Sequence, residues 1–194
     1  MSSSVAVYLV KTELEALASE IIAGRFETDS YNLLAYSGKQ TPFLLQPESF
    51  DCRLAFPAAS KRGMFSERRS ICHNLDALTR ELRKLNAEPD SIRIHLPRLS
   101  TSKSNYTINH LRKEFPRSLI SVCLIPHGLV SVERIPITKL QKIKLLKKKW
   151  NPINLLFPRL RYYIPNGDLI GGTDNIVQKI YTFPSITAPF SIEK

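Results

Sequence analysis

The 194-residue sequence is short of the residues that announce most small-molecule and metal chemistry. Its seven glycines never fall into G-x-G-x-x-G or G-x-x-x-x-G-K spacing, so neither common phosphate-binding fingerprint is present. No G-x-S-x-G occurs, which removes the usual hydrolase nucleophile turn. Cys52, Cys72 and Cys123 are odd in number and far apart, so no disulfide framework and no CxxC metal or redox motif is expected. His73, His95, His110 and His127 are isolated from one another, and neither a metal nor a cofactor is expected. The longest clean apolar run, Val5–Val10, is far below the ~20 residues of a membrane span. It is also too short for a signal peptide, and no basic stretch precedes it, so a reducing, cytoplasmic location is expected. Acidic residues are scarce: 17 Asp and Glu face 28 Lys and Arg, for a formal charge of +11. That balance favours polyanionic partners, whether nucleic acid, an acidic membrane face or an anionic glycan.

What is present is an alternation of strand and helix signals. VAVYLV reads as a first strand, and Thr12 with Glu15 has the spacing of a capping box that opens a helix. Leu14, Leu17, Ala18, Ile21 and Ile22 supply its apolar periodicity, and Gly24 is placed to end it in a left-handed turn. The turn between them, VKTELE, has no glycine, which argues against a nucleotide-binding first turn. Tyr31–Tyr36 reads as a second strand and Cys52–Phe56 as another. Ser66 is expected to cap a long helix with Ile71, Leu75, Leu78, Leu82 and Leu85 inward and Arg68, Arg69, Arg80, Arg83 and Lys84 outward. Strands follow at Ser91–Leu96 and Leu119–Leu124, separated by the polar loop PRLSTSKSNY and a short helix from about Asn105 to Phe115. Ser102 and Lys103 in that loop suit a hydroxyl-rich or anionic ligand.

Beyond these, Ile137–Trp150 reads as a basic helix with six lysines, in which Leu140, Ile143, Leu146 and Trp150 share one arc and Leu145 lies opposite. RLRYYI and Val177–Phe183 read as further strands, joined by the turn-rich NGDLIGGTDN. The pattern predicts an α/β fold, a Rossmann-like three-layer domain with a mostly parallel sheet over 1–183, with 184–194 as a linker or docking arm.

The strand LISVCLI stops abruptly at Pro126, His127 and Gly128, and strand ends of this kind are where open α/β sheets place their chemistry. An imidazole there suits removal of a proton from a hydroxyl, with Glu133 or Asp168 assisting and nearby Lys and Arg offsetting phosphate charge. Cys123, inside the strand, is expected to behave as a small apolar residue.

The order IPHGLVSVER, a Lys-rich helix, RYYIPNGDLIGG and QKIYTFP resembles the N-terminal half of bacterial GT-B glycosyltransferases of the polysialyltransferase and lipooligosaccharide sialyltransferase type. The similarity spans roughly Ile92 to Pro184 and rests on His127-Gly128, Gly167-Asp168, Ile170-Gly171 and the YTFP ending. It implies an acceptor-binding, GT-B-like half of a sialyltransferase-like enzyme of cell-surface polysaccharide or lipooligosaccharide synthesis. His127 stands where that family carries its acidic base, and Gly128, Asp168 and Gly171 are implied at the acceptor. The family's nucleotide-sugar domain carries a His-Pro motif, and this sequence has no His-Pro pair. A nucleotide-sugar donor is therefore expected to come through a missing or separate domain. Two further classes stand beside this one. One is a non-catalytic membrane- or partner-docking protein, in which Lys147, Lys148 and Lys149 meet an anionic membrane, peripherally at the inner face, or another polyanion. The other is a basic nucleic-acid-binding module, for which no recognition motif is legible.

Overall fold

The computed structural model describes residues 4–38, 41–57, 63–85, 87–126, 136–168 and 170–182. Its strands are β1 (Ser4–Val10), β2 (Tyr31–Tyr36), β3 (Cys52–Ala55), β4 (Ser91–Leu96), β5 (Leu119–Leu124) and β6 (Val177–Ile180). Four helices accompany them: α1 (Glu13–Phe26), α2 (Met64–Leu82), α3 (Ser102–Glu114) and α4 (Lys139–Lys149). Every strand pairing is parallel, in the order β3-β2-β1-β4-β5-β6, which is the Rossmann-like, doubly wound arrangement. The expected neighbours β1, β2, β4 and β5 are all there, and β3 fills the edge beside β2.

Alternate residues of each strand build two different layers. Val5, Val7, Leu33, Ala35, Ile92, Ile94, Ile120 and Val122 face α2 and α3, where Leu78, Leu82, Ile108 and Leu111 are fully buried. Truncating Leu78, Leu82, Ile108 or Leu111 to Ala removes roughly 2–5 kcal/mol. The opposite face meets α1 through Ala6, Tyr8, Val10 and Leu34 against Ala16, Ile22 and Ala23. α4 joins a third cluster, in which Leu145 packs with Ile71 and Leu75 of α2 and Tyr106 of α3.

Helix α1 departs from its periodicity. The capping box forms as expected, with Glu15 N donating to Thr12 Oγ1 at 3.3 Å and Glu15 Oε2 accepting from Thr12 N at 3.2 Å. Leu14 and Ile21, however, are exposed, whereas Glu15, Ser19 and Glu20 are buried. Glu15 folds back onto the amides of Lys11 and Thr12, Ser19 bonds to the carbonyl of Glu15, and other acidic side chains of α1 satisfy backbone amides of the β2–β3 connection. Glu13 accepts from Phe43 N at 2.8 Å, and Glu20 accepts from Leu45 N at 3.1 Å and from Gln46 N. Gly24 is not the terminator, because the helix runs on to Phe26 with Glu27 as its C-cap.

Other boundaries also differ. α2 starts at Met64 after Gly63, whose φ of 104° suits glycine, and not at Ser66. Arg68 is buried, its guanidinium 5.1 Å from the centre of the Tyr106 ring, so it does not belong to the solvated arginine face. α3 begins at Ser102, which puts Ser102 and Lys103 in its first turn rather than in a loop. RLRYYI is not a strand: Tyr163 N donates to Asn105 Oδ1 at 2.5 Å while Asn105 Nδ2 donates to Tyr163 O at 2.6 Å. A side-chain amide of α3 thus takes the hydrogen bonds that a neighbouring strand would have supplied, between the flanking Pro158 and Pro165.

Candidate functional site

In sheets of this topology the ligand crevice lies outside the carboxyl ends of the strands, where the strand order reverses. Here that point is between β1 and β4, and a cleft of about 390 Å³ opens there, within the range of small-molecule sites. Lys11, Thr12 and Glu15 line it from the start of α1, Arg98 and Thr101 from the end of β4, and Glu67 and Asn74 from α2. Asn74 is 6% exposed, and its Oδ1 has no hydrogen-bond partner among the described residues. A buried carbonyl left unpaired at a cleft wall is an acceptor awaiting a donor.

The amides that would grip a phosphate at the first turn are already used. Glu15 Oε2 accepts from Lys11 N at 2.6 Å as well as from Thr12 N, and the Glu15 side chain is buried at 1% exposure. A carboxylate therefore occupies the electropositive helix start, and a second anion placed there would meet like charge. The absence of glycine from VKTELE has this structural counterpart. A second depression of about 350 Å³ between α2 and α3 is lined by Arg83, paired with Glu114 at 2.7 Å, by Arg159, paired with Asp76 at 2.6 Å, and by Arg80 and Lys84.

The loop after β4 and the segment that follows α4 meet at one edge of the sheet. Leu99 N donates to Ile170 O at 2.9 Å, and Tyr162 Oη donates to Ser100 O at 3.2 Å, so the β4 loop and the Gly167–Gly172 loop lie together. Pro136 forms an isolated antiparallel bridge with Asp168. Asp168 itself is buried and committed to its own loop. Its Oδ1 accepts from Gly171 N at 2.6 Å and Gly172 N at 3.1 Å, and its Oδ2 accepts from Thr173 N and Thr173 Oγ1. Gly171 has φ 94°, and a Cβ there would stand 2.2 Å from Leu99 Cδ1. Its role in the structure is close approach of loop to loop. His127, Gly128 and Glu133 lie outside the described residues, as does the 184–194 arm. Lys147 and Lys149 are exposed on α4, and Ser102 and Lys103 begin α3. Cys123 is fully buried in β5, and burial pushes its thiol up to about 12, so it has no thiolate to offer. Among the described residues no His, Cys, Asp and Glu cluster could hold a metal ion.

A polar group that periodicity alone does not reveal crosses the other sheet face. Arg93 and His95 alternate with Ile92 and Ile94 along β4, and both turn toward Glu27, just past α1. Arg93 Nε lies 3.0 Å and 2.9 Å from the two Glu27 oxygens, and its Nη2 donates to Ser30 Oγ at 2.6 Å. Burial favours the neutral form of Glu27, but the nearby His95 ring and the hydrogen bonds from Arg93 outweigh it and hold the carboxyl near 2. His95 is fully buried and stacked on Tyr8 with ring centres 4.4 Å apart. Its Nε2 is 3.4 Å from Glu27 Oε1, yet neither ring nitrogen has a hydrogen-bond partner among the described residues. Because burial lowers the His95 pKa and keeps the ring neutral, Arg93 is the cation that holds Glu27. The alternation of charged and apolar residues in SIRIHL is the one sequence signal for this group, and it does not name Glu27. No known protein family and no curated protein matches the chain.

Proposed function

We propose that the protein is the acceptor-binding half of a sialyltransferase-like glycosyltransferase of cell-surface polysaccharide or lipooligosaccharide synthesis, and that the cleft between β1 and β4 receives an anionic glycan acceptor. The observation that carries this reading is Glu15 on the amides of Lys11 and Thr12. It leaves the crevice without a phosphate grip but rich in groups that bind hydroxyls, which favours an acceptor sugar over a nucleotide donor. Asn74 Oδ1 and Glu67 supply acceptors for sugar hydroxyls, and Lys11 and Arg98 supply positive charge for a carboxylate or phosphate on the glycan.

In the reaction that the resemblance implies, a base takes the proton of the acceptor hydroxyl, the freed oxygen bonds to the anomeric carbon of the donor, and the nucleotide leaves with the bonding pair. His127, which follows Ile125-Pro126 in the sequence after β5, is the residue that the resemblance assigns to that base. The nucleotide-sugar donor binds outside this cleft. Saturation-transfer NMR tests this reading with a sialylated oligosaccharide, its neutral counterpart and cytidine monophosphate as probes. Signals are expected from the sialylated sugar, weaker ones from the neutral sugar and none from the nucleotide, with loss of the first in Lys11→Ala/Arg98→Ala. Preferential binding of the nucleotide, or no signal from either sugar, overturns it.

A further inference from the structure

Helix α4 is held to the protein by a small part of its surface. Leu145 is 4% exposed and packs with Ile71, Leu75 and Tyr106. On the other side Leu140 is 73%, Ile143 49% and Trp150 76% exposed. Leu140, Ile143, Lys147 and Trp150 follow one another at steps of three, four and three, so on a helix of 3.6 residues per turn they form one stripe pointing away from Leu145. The stripe is preformed, because Thr138 and Gln141 close a capping box at the helix start. Past the helix the chain turns through Pro152–Leu156, where Leu155 and Leu156 are exposed as well. Single exposed apolar residues are ordinary on a protein surface, but several gathered on one side, here around Lys147, mark a contact.

Charge decides what makes that contact. From Arg134 to Gly167 the sequence has no Asp or Glu, while α4 alone has six lysines. A second copy meeting this face across a two-fold axis would set lysine against lysine. A nucleic-acid backbone would engage the lysines and leave Leu140, Ile143 and Trp150 in water. An anionic bilayer satisfies both halves. The apolar stripe sinks to the boundary of headgroups and acyl chains, the lysine stems run along it with their ammonium groups on the phosphates, and the indole settles at the interface. We propose that α4 and the turn that follows it form a docking surface for an anionic phospholipid membrane. This does not depend on the glycan reading.

Trp150 is the one tryptophan in the sequence, so the emission of the intact chain reports directly on this face. With vesicles of phosphatidylcholine and phosphatidylglycerol in equal amounts, the emission should shift to the blue and the protein should sediment with the lipid. Vesicles of phosphatidylcholine alone should do neither. Lys147→Ala/Lys148→Ala/Lys149→Ala should weaken binding roughly 100-fold at low salt, and added salt should close most of that gap. Leu140→Ser/Ile143→Ser should also weaken it, with the net charge and the circular dichroism spectrum unchanged. Equal vesicle binding by wild type and the lysine variant overturns the proposal. So does a blue shift that needs protein concentration but no lipid, which assigns the face to a second copy. Lysine variants that lose affinity for duplex DNA but not for vesicles would reassign it to nucleic acid.

Discussion

Replacing Arg93 by Met removes the cation from a carboxylate that has nowhere else to go. Glu27 is 3% exposed and the Arg93 side chain 25%, so neither charge is well served by water. Against its burial, the hydrogen bonds to Glu27 lower the carboxyl from 4.5 to about 2. A displacement of that size corresponds to about 3 kcal/mol of stabilisation of the charged form. Because the folded pKa is the lower one, this contribution is complete above about pH 4.5 and is lost as the pH falls toward 2. In the variant the carboxylate keeps its burial without its partner, which costs about 3–5 kcal/mol at neutral pH. The cost shrinks in acid, because a protonated Glu27 needs no cation. Urea unfolding followed by circular dichroism over a pH series measures both effects. The stability curves of wild type and variant should lie well apart at neutral pH and converge below pH 4.5. Parallel curves, or a variant as stable as wild type at neutral pH, would refute the assignment of Arg93 as the partner that holds Glu27.

Two further outcomes follow from the packing. His95→Phe keeps a ring against Tyr8 and removes two unpartnered nitrogens, so stability at neutral pH should hold or rise by about 1 kcal/mol. Since burial lowers the His95 pKa, wild type should lose stability as the pH falls below about 6.5, and thermal midpoints across that range should show a shallower decline in the variant. Gly171→Ala places a Cβ on Leu99 at a φ of 94° and should cost about 2–4 kcal/mol, read as a lowered urea midpoint. Leu99→Ala in the same chain should give part of that back, and simple additivity of the two would show that they do not clash.

The parts of this fold that were legible in sequence are those set by neighbours along the chain. Short β-branched and apolar runs located β1, β2, β4 and β5, and T-x-x-E located the start of α1, since strand alternation and capping are local. The orientation of α1 was not legible, because Glu20 is buried to serve amides of Leu45 and Gln46, some 25 residues on. RLRYYI has strand composition, but an asparagine of α3 supplies its hydrogen bonds, and nothing in the segment itself says so. The arc of Leu140, Ile143, Leu146 and Trp150 was readable from spacing, whereas which way it faces depends on Leu145 fitting between α2 and α3. Of the candidate site, the strand-end location of the cleft follows from topology. The Glu27–Arg93–His95 group joins residues more than sixty positions apart and emerges only when β4 lies beside β1.

The placement of β1 at the centre of the sheet has a consequence for how the chain emerges during synthesis. One side of β1 meets β2 about 26 residues later, but its other side waits for β4, 87 residues away between Ser4 and Ser91. At roughly 5–20 residues per second, VAVYLV therefore spends several seconds as an open, strongly apolar edge before its second partner leaves the ribosome. During that interval the nascent chain is a template for other strands. The native pairing must compete with aggregation until Ile92 and Ile94 arrive, so the yield of folded protein is governed by the speed of the second half as much as by the stability of the whole.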